Sequence, residues 1–70
     1  MAAKILGAMQ TPDGYWRVEV YQERPGTQWF RVLHANTVVH DQAAIATVQH
    51  ILGDQYAQLV FVHLADDGAA

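Results

Sequence analysis

The residues flanking Arg24-Pro25-Gly26 constrain this chain more than any other feature of its seventy residues. Proline presets φ at about −65° for the second position of a type II turn, and glycine supplies the positive φ that the third position needs. A turn here folds a strand over Tyr15–Glu23 back on another over Gln28–Ala35. Pairing Gln22 with Gln28 can be checked against the residues it brings together. It sets Val20 against Phe30 and Val18 against Val32 on one face. On the other face Tyr21 meets Trp29, and Glu19 meets Arg31 as an expected ion pair. A one-residue slip would scramble both sets, so the alternation itself selects the register.

Around this hairpin the other elements follow from local chemistry. Thr11-Pro12-Asp13-Gly14 reads as a type I turn closed by a glycine bulge, and it joins a weaker first strand, roughly Lys4 to Gln10, to the second. In His34-Ala35-Asn36-Thr37, asparagine tolerates the left-handed region, which makes a tight turn into a short fourth strand around Val38 and Val39. The period then changes: Ala44, Ile45, Val48, Ile51 and Leu52 recur at helical spacing. This predicts a helix over Gln42–Leu52, with Asp41 as N-cap and Gly53 as its stop. About three turns are too short to be stable alone, so the helix must lie on the Trp16, Val18, Val20, Phe30 and Val32 face. The last element, Gln58–Leu64, is apolar on both faces. That pattern suits an interior strand or one whose outer face meets another subunit. The expected fold class is α+β, a small antiparallel sheet in β-β-β-β-α-β order with one helix packed on one face. A single domain spans residues 1–70, ordered over about 4–64, with a frayed tail at 65–70 that carries Asp66 and Asp67.

Composition limits the chemistry. A chain of this length buries only about 60% of its unfolded surface, and with no cysteine it has neither a disulfide nor a thiolate metal site to reinforce a small core. Serine is absent too, which removes serine and cysteine nucleophiles together. No apolar run approaches a membrane span, and Met1–Met9 lacks the length and charge pattern of a signal peptide, so a cytoplasmic location without membrane contact is expected.

Four histidines would be the natural place to look for a metal or a general base. His34, His40, His50 and His63 form no H-x-H on a strand and no i, i+4 pair on a helix, and no carboxylate stands at ligand spacing from two of them. His34 and His63 read as packing residues at strand ends, and His50 as solvent-exposed. Glu19, Asp13 and Asp41 each have a structural role in an ion pair, a turn and a cap, and Asp54 follows the helix stop. The expectation is therefore a protein without cofactor, metal or catalytic residues.

One helix covers one sheet face and leaves the other. The register puts Tyr15, Arg17, Glu19 and Tyr21 there beside Trp29, Arg31 and Leu33, with Ile5 and Met9 joining from the first strand. Exposed apolar patches beyond a few hundred Å² are uncommon on monomers, and Trp, Tyr and Arg are enriched at binding hot spots. The plainest structural reading is a cross-strand aromatic pair that stiffens the hairpin. The functional reading is a non-enzymatic interaction module of unknown process whose partner is a second copy, as a homodimer, or another protein. Its contact residues would be Tyr15, Arg17, Tyr21, Trp29, Arg31 and Leu33. An alternative is a nucleic-acid-binding regulator using the same face, with bases stacked on Trp29 and Tyr21. The three-stranded meander followed by a helix is similar to the plan of AP2-type and integrase arm-binding DNA domains, a resemblance that implies a sheet reading DNA. Those domains are generally basic. Here the net charge is −3, and Glu19 and Glu23 stand among the arginines, which disfavours nucleic acid.

Overall fold

The computed structural model describes residues 3–62. Five strands, β1 (Lys4–Gln10), β2 (Trp16–Arg24), β3 (Thr27–His34), β4 (Thr37–Ala43) and β5 (Val60–Val62), form one antiparallel sheet in the order β4-β3-β2-β1-β5. Between β4 and β5 lie helix α1 (Ile45–Leu52) and a 3-10 turn (Gly53–Gln58), which carry the chain from one edge of the sheet to the other. The α+β class with one helix on one sheet face is the expected one. His63, Leu64 and the expected tail lie outside the described residues.

The central hairpin adopts the register read from its alternation: Val18 faces Val32, Val20 faces Phe30, Tyr21 faces Trp29 and Gln22 faces Gln28. Gly26 takes φ 84°, as the type II turn requires. At the Thr11 turn the Gly14 amide donates to the Thr11 carbonyl at 2.8 Å, and Gly14 has φ 80°. The Thr11 side chain reinforces this turn. Its hydroxyl donates to Asp13 Oδ1 at 2.6 Å and accepts from the Trp16 amide at 3.2 Å, while Asp13 Oδ1 also accepts the Tyr15 amide at 3.0 Å. These two bonds hold the Asp13 carboxyl below its ordinary pKa, the Thr11 hydroxyl contributing most. The β3–β4 connection puts two residues, Ala35 (φ 51°) and Asn36 (φ 69°), in the left-handed region. This is the mirror-image turn whose twist matches a hairpin, and alanine occupies one position there at a steric cost.

The core sits between the hairpin and the helix. Val18 and Val32 from the sheet meet Ala43, Val48 and Leu52, and Met9, Trp16, Phe30, Ile51, Tyr56 and Leu59 pack around them. Val48 and Leu52 are one helical turn apart, so a single stripe of α1 supplies both.

Three expectations need correction. The helix begins at Ile45, not Gln42, and its N-cap is Ala44 with no side-chain cap bond, whereas Asp41 belongs to β4. The reason is packing: Ala43 pairs with Phe30 and is buried, so the sheet keeps Gln42 and Ala43 and the helix waits for the next residues. Met9 faces Val18 and packs on the core side, not on the outer face, because the register shifts between Ile5 and Gly7 and reverses the parity of everything after it. Ile5, before the shift, faces Tyr21 on the outer side as expected. Finally, Glu19 and Arg31 face each other in register but pair with other groups, described next.

Candidate functional site

The face turned away from the helix is organised around two rings. Tyr21 and Trp29 stack with centroids 4.7 Å apart and planes 15° from parallel, and the Arg31 guanidinium lies 4.7 Å from the Tyr21 centroid and 5.6 Å from that of Trp29. The cross-strand pair brings the rings together, and the cation sits over their negative faces.

A chain of polar contacts crosses this face from β1 to β4. Gln10 Oε1 accepts from Arg17 Nη1 at 3.5 Å, and Arg17 Nε donates to Glu19 Oε2 at 2.8 Å. Tyr21 donates its hydroxyl proton to Glu19 Oε1 at 2.8 Å and accepts from Arg31 Nη1 at 3.3 Å. Arg31 then reaches both carboxylate oxygens of Asp41, at 3.2 and 3.4 Å. The expected Glu19–Arg31 ion pair is therefore replaced by two others, Arg17 with Glu19 and Arg31 with Asp41. Glu19 already uses both oxygens on β2, and the extension of β4 to Ala43 brings Asp41 within reach of Arg31.

The electrostatics follow this connectivity. Burial raises the Tyr21 pKa above its ordinary value, and the hydrogen bond to Glu19 raises it further. The Arg31 bond holds the Asp41 carboxyl below its ordinary value, and the same bond raises Arg31. Two arginines and two carboxylates balance, which leaves the face without a net charge to draw phosphates.

The six expected contact residues divide. Arg17, Tyr21, Trp29 and Arg31 form the stack and network, half-buried by one another. Leu33, also half-buried, faces Arg17 on one side and Val38 on the other. Tyr15 precedes β2 and stacks on His34 at 6.0 Å, with Trp16 at 4.5 Å from the same imidazole. Six strand positions, roughly 20 Å, separate Tyr15 from Tyr21. The indole Nε1 of Trp29 is enclosed and has no acceptor among the described residues, so Trp29 contributes shape and stacking rather than a hydrogen bond.

Elsewhere, the described residues contain no group of three or more His, Cys, Asp or Glu side chains able to hold a metal, and no helix among them is long and apolar enough to cross a membrane. His40 and His50 are exposed. A shallow hollow of about 250 Å³ beside the β2–β3 turn is lined by Lys4, Gln22, Glu23, Arg24 and Pro25.

Exposed apolar groups lie at both edges of the sheet, with Val38 and Val39 47% and 50% exposed on β4 and a second set on β5 and β1. Phe61 is 85% exposed and Val60 53% on β5, and Leu6 and Ile5 are 43% and 37% exposed on the neighbouring β1. The two-sided apolar run in the sequence pointed toward β5 but not to its place at an edge. The signal for the exposed Leu6 was Gly7, since an isolated glycine within a strand pattern marks a bulge. Comparison with protein-family models, with curated proteins and with solved structures found no match to this chain.

Proposed function

We propose that this chain is a small non-catalytic protein-interaction module that associates with a second copy of itself, through the β1–β5 edge of the sheet and the outer face beside it. The observation that carries the reading is the exposure of Phe61, 85% of a large aromatic side chain, beside exposed Val60 on the strand that ends the sheet among the described residues. Phe61 is the most exposed large hydrophobic side chain among the described residues, and a ring of that size is costly to leave in water. The Tyr21, Trp29 and Arg31 stack adds residue types common at hot spots, held rigid so that little side-chain entropy is lost on contact.

The nucleic-acid alternative has less behind it, because Arg17 and Arg31 each already hold a carboxylate. Sedimentation velocity over the micromolar to millimolar range tests the proposal. The mean mass should climb from monomer toward dimer with concentration. A strict monomer throughout would refute it. Quenching of tryptophan fluorescence by an oligonucleotide at low salt, lost in Arg31→Ala, would favour the alternative.

A further inference from the structure

We propose that β5 is completed by β5 of a second copy, antiparallel about a two-fold axis that passes through Phe61 normal to the sheet, so that two five-stranded sheets become one of ten strands. This rests on the self-association reading above and names its geometry.

The first support is a mismatch between composition and position. Gln58–Val62 carries no charge, and Val60, Phe61 and Val62 are apolar without alternation, which is the composition of a strand whose two faces are both covered. Yet among the described residues β5 pairs with β1 alone and stands at the edge of the sheet with its Val60 and Phe61 exposed. Edge strands are ordinarily protected by shortness, a charge, a proline or a bulge, and β5, three residues long, has only the first of these among its described residues.

The second support is the opposite edge. β4 shows two register shifts against β3, carries Asp41, and places Gln42 in the left-handed region at φ 52°. It is therefore a poor template, and head-to-tail growth of β5 onto β4 of the next copy is blocked. An association built on β5 alone must be isologous and must close as a dimer.

Self-complementarity selects the second copy over another partner. Centring on Phe61 sets Phe61 against Phe61 of the second copy and Val60 against its Val62, which matches every described residue of β5 with an apolar one. Each copy carries a net charge of −3, and this uncharged strand is where two copies can meet without opposing charges. Phe61 shares the side of the sheet with Met9, which packs on the core. The axis keeps both helices on that same side, so the phenylalanine pair extends the two cores toward each other. The exposed part of each Phe61 ring is roughly 170 Å² of a side chain of about 200 Å². Two such rings with Val60 and the strand backbone fall short of the ~1,200 Å² of a standard interface, so the dimer should be weak and concentration-dependent.

The absence of native cysteine makes the register directly readable. Val60→Cys and Val62→Cys, mixed and oxidised, should give a disulfide-linked dimer far more readily than either variant alone, because only residues 60 and 62 face one another and like positions lie too far apart along the strands. Phe61→Lys, at an exposed site that leaves the circular dichroism spectrum unchanged, should raise the dissociation constant by at least about tenfold. Faster cross-linking of either single variant than of the mixture would overturn the register. A concentration-dependent dimer that neither cross-links at these positions nor responds to Phe61→Lys would overturn β5 pairing while leaving self-association standing. A strict monomer would overturn both.

Discussion

Replacing Thr11 by valine keeps the shape of the side chain and deletes its hydroxyl, which isolates the polar role of a residue only 1% exposed. The hydroxyl accepts from the Trp16 amide at 3.2 Å and donates to Asp13 at 2.6 Å. The Asp13 carboxylate stands in water and re-solvates, so the cost falls on the part-buried amide. Orphaning such a group costs ~1–3 kcal/mol, offset by ~0.8 kcal/mol from the added buried methyl, for a net loss of about 0.2–2.2 kcal/mol. A two-state domain of this size unfolds with an entropy of about 150 cal/mol/K, so the midpoint should fall by roughly 1–15 °C in thermal melts followed by circular dichroism. A second signature is in the pH dependence. Because Asp13 has a lowered pKa in the folded state, its contribution is present above the ordinary value of 3.8 and is lost as pH falls through the folded value. Without the Thr11 hydroxyl that folded value moves back up, and stability should fall less steeply below about pH 4. Thr11→Ser retains the hydroxyl and should keep the wild-type acid slope. A Thr11→Val protein that melts at or above the wild-type midpoint, with an unchanged acid slope, would refute the reasoning.

Three further outcomes are expected. Tyr21→Phe removes the hydroxyl that joins Glu19 to Arg31, at a cost of about 1 kcal/mol or some 7 °C in the melting midpoint. In the wild type, absorbance titration should show one tyrosine ionising above the ordinary value of 10.0, the shift shrinking in Glu19→Gln. Since that pKa is raised by folding, the associated stability is present below the ordinary value and lost as pH rises through the folded one. Ala35→Gly relieves a left-handed alanine at φ 51° and should raise the midpoint by several degrees, about 0.5–1 kcal/mol, as read by the same melts; a decrease would count against the turn geometry.

The hairpin was legible residue by residue because Pro25 and Gly26 fix the turn, and strict alternation then fixes parity. Bulges were not legible to the same degree. An extra residue in one strand changes no side-chain type, so the shift near Gly7 silently moved Met9 to the core face, and those in β4 hid where the helix begins. Asp41 illustrates the ambiguity: aspartate before an apolar helical run reads as a cap, but the same carboxylate can also pair with an arginine on the next strand, and burial of Ala43 decides between them. The outer-face residues were found from parity alone, yet their partners depended on the position of β4, which parity does not fix. Likewise the two-sided apolar character of β5 was plain, while a helical crossover can deliver a strand to either edge.

That crossover orders the folding events. Strands β1 to β4 pair with sequence neighbours through short turns, so their loop-closure cost is low and they can form early. The pairing of Val60 with Gln10 spans about fifty residues and carries the largest loop-closure cost in the sheet. During synthesis β1 therefore stands with one side unpaired until nearly all of the described chain has emerged. It is then a template for whichever β5 arrives first, its own or that of a neighbouring chain on the same message.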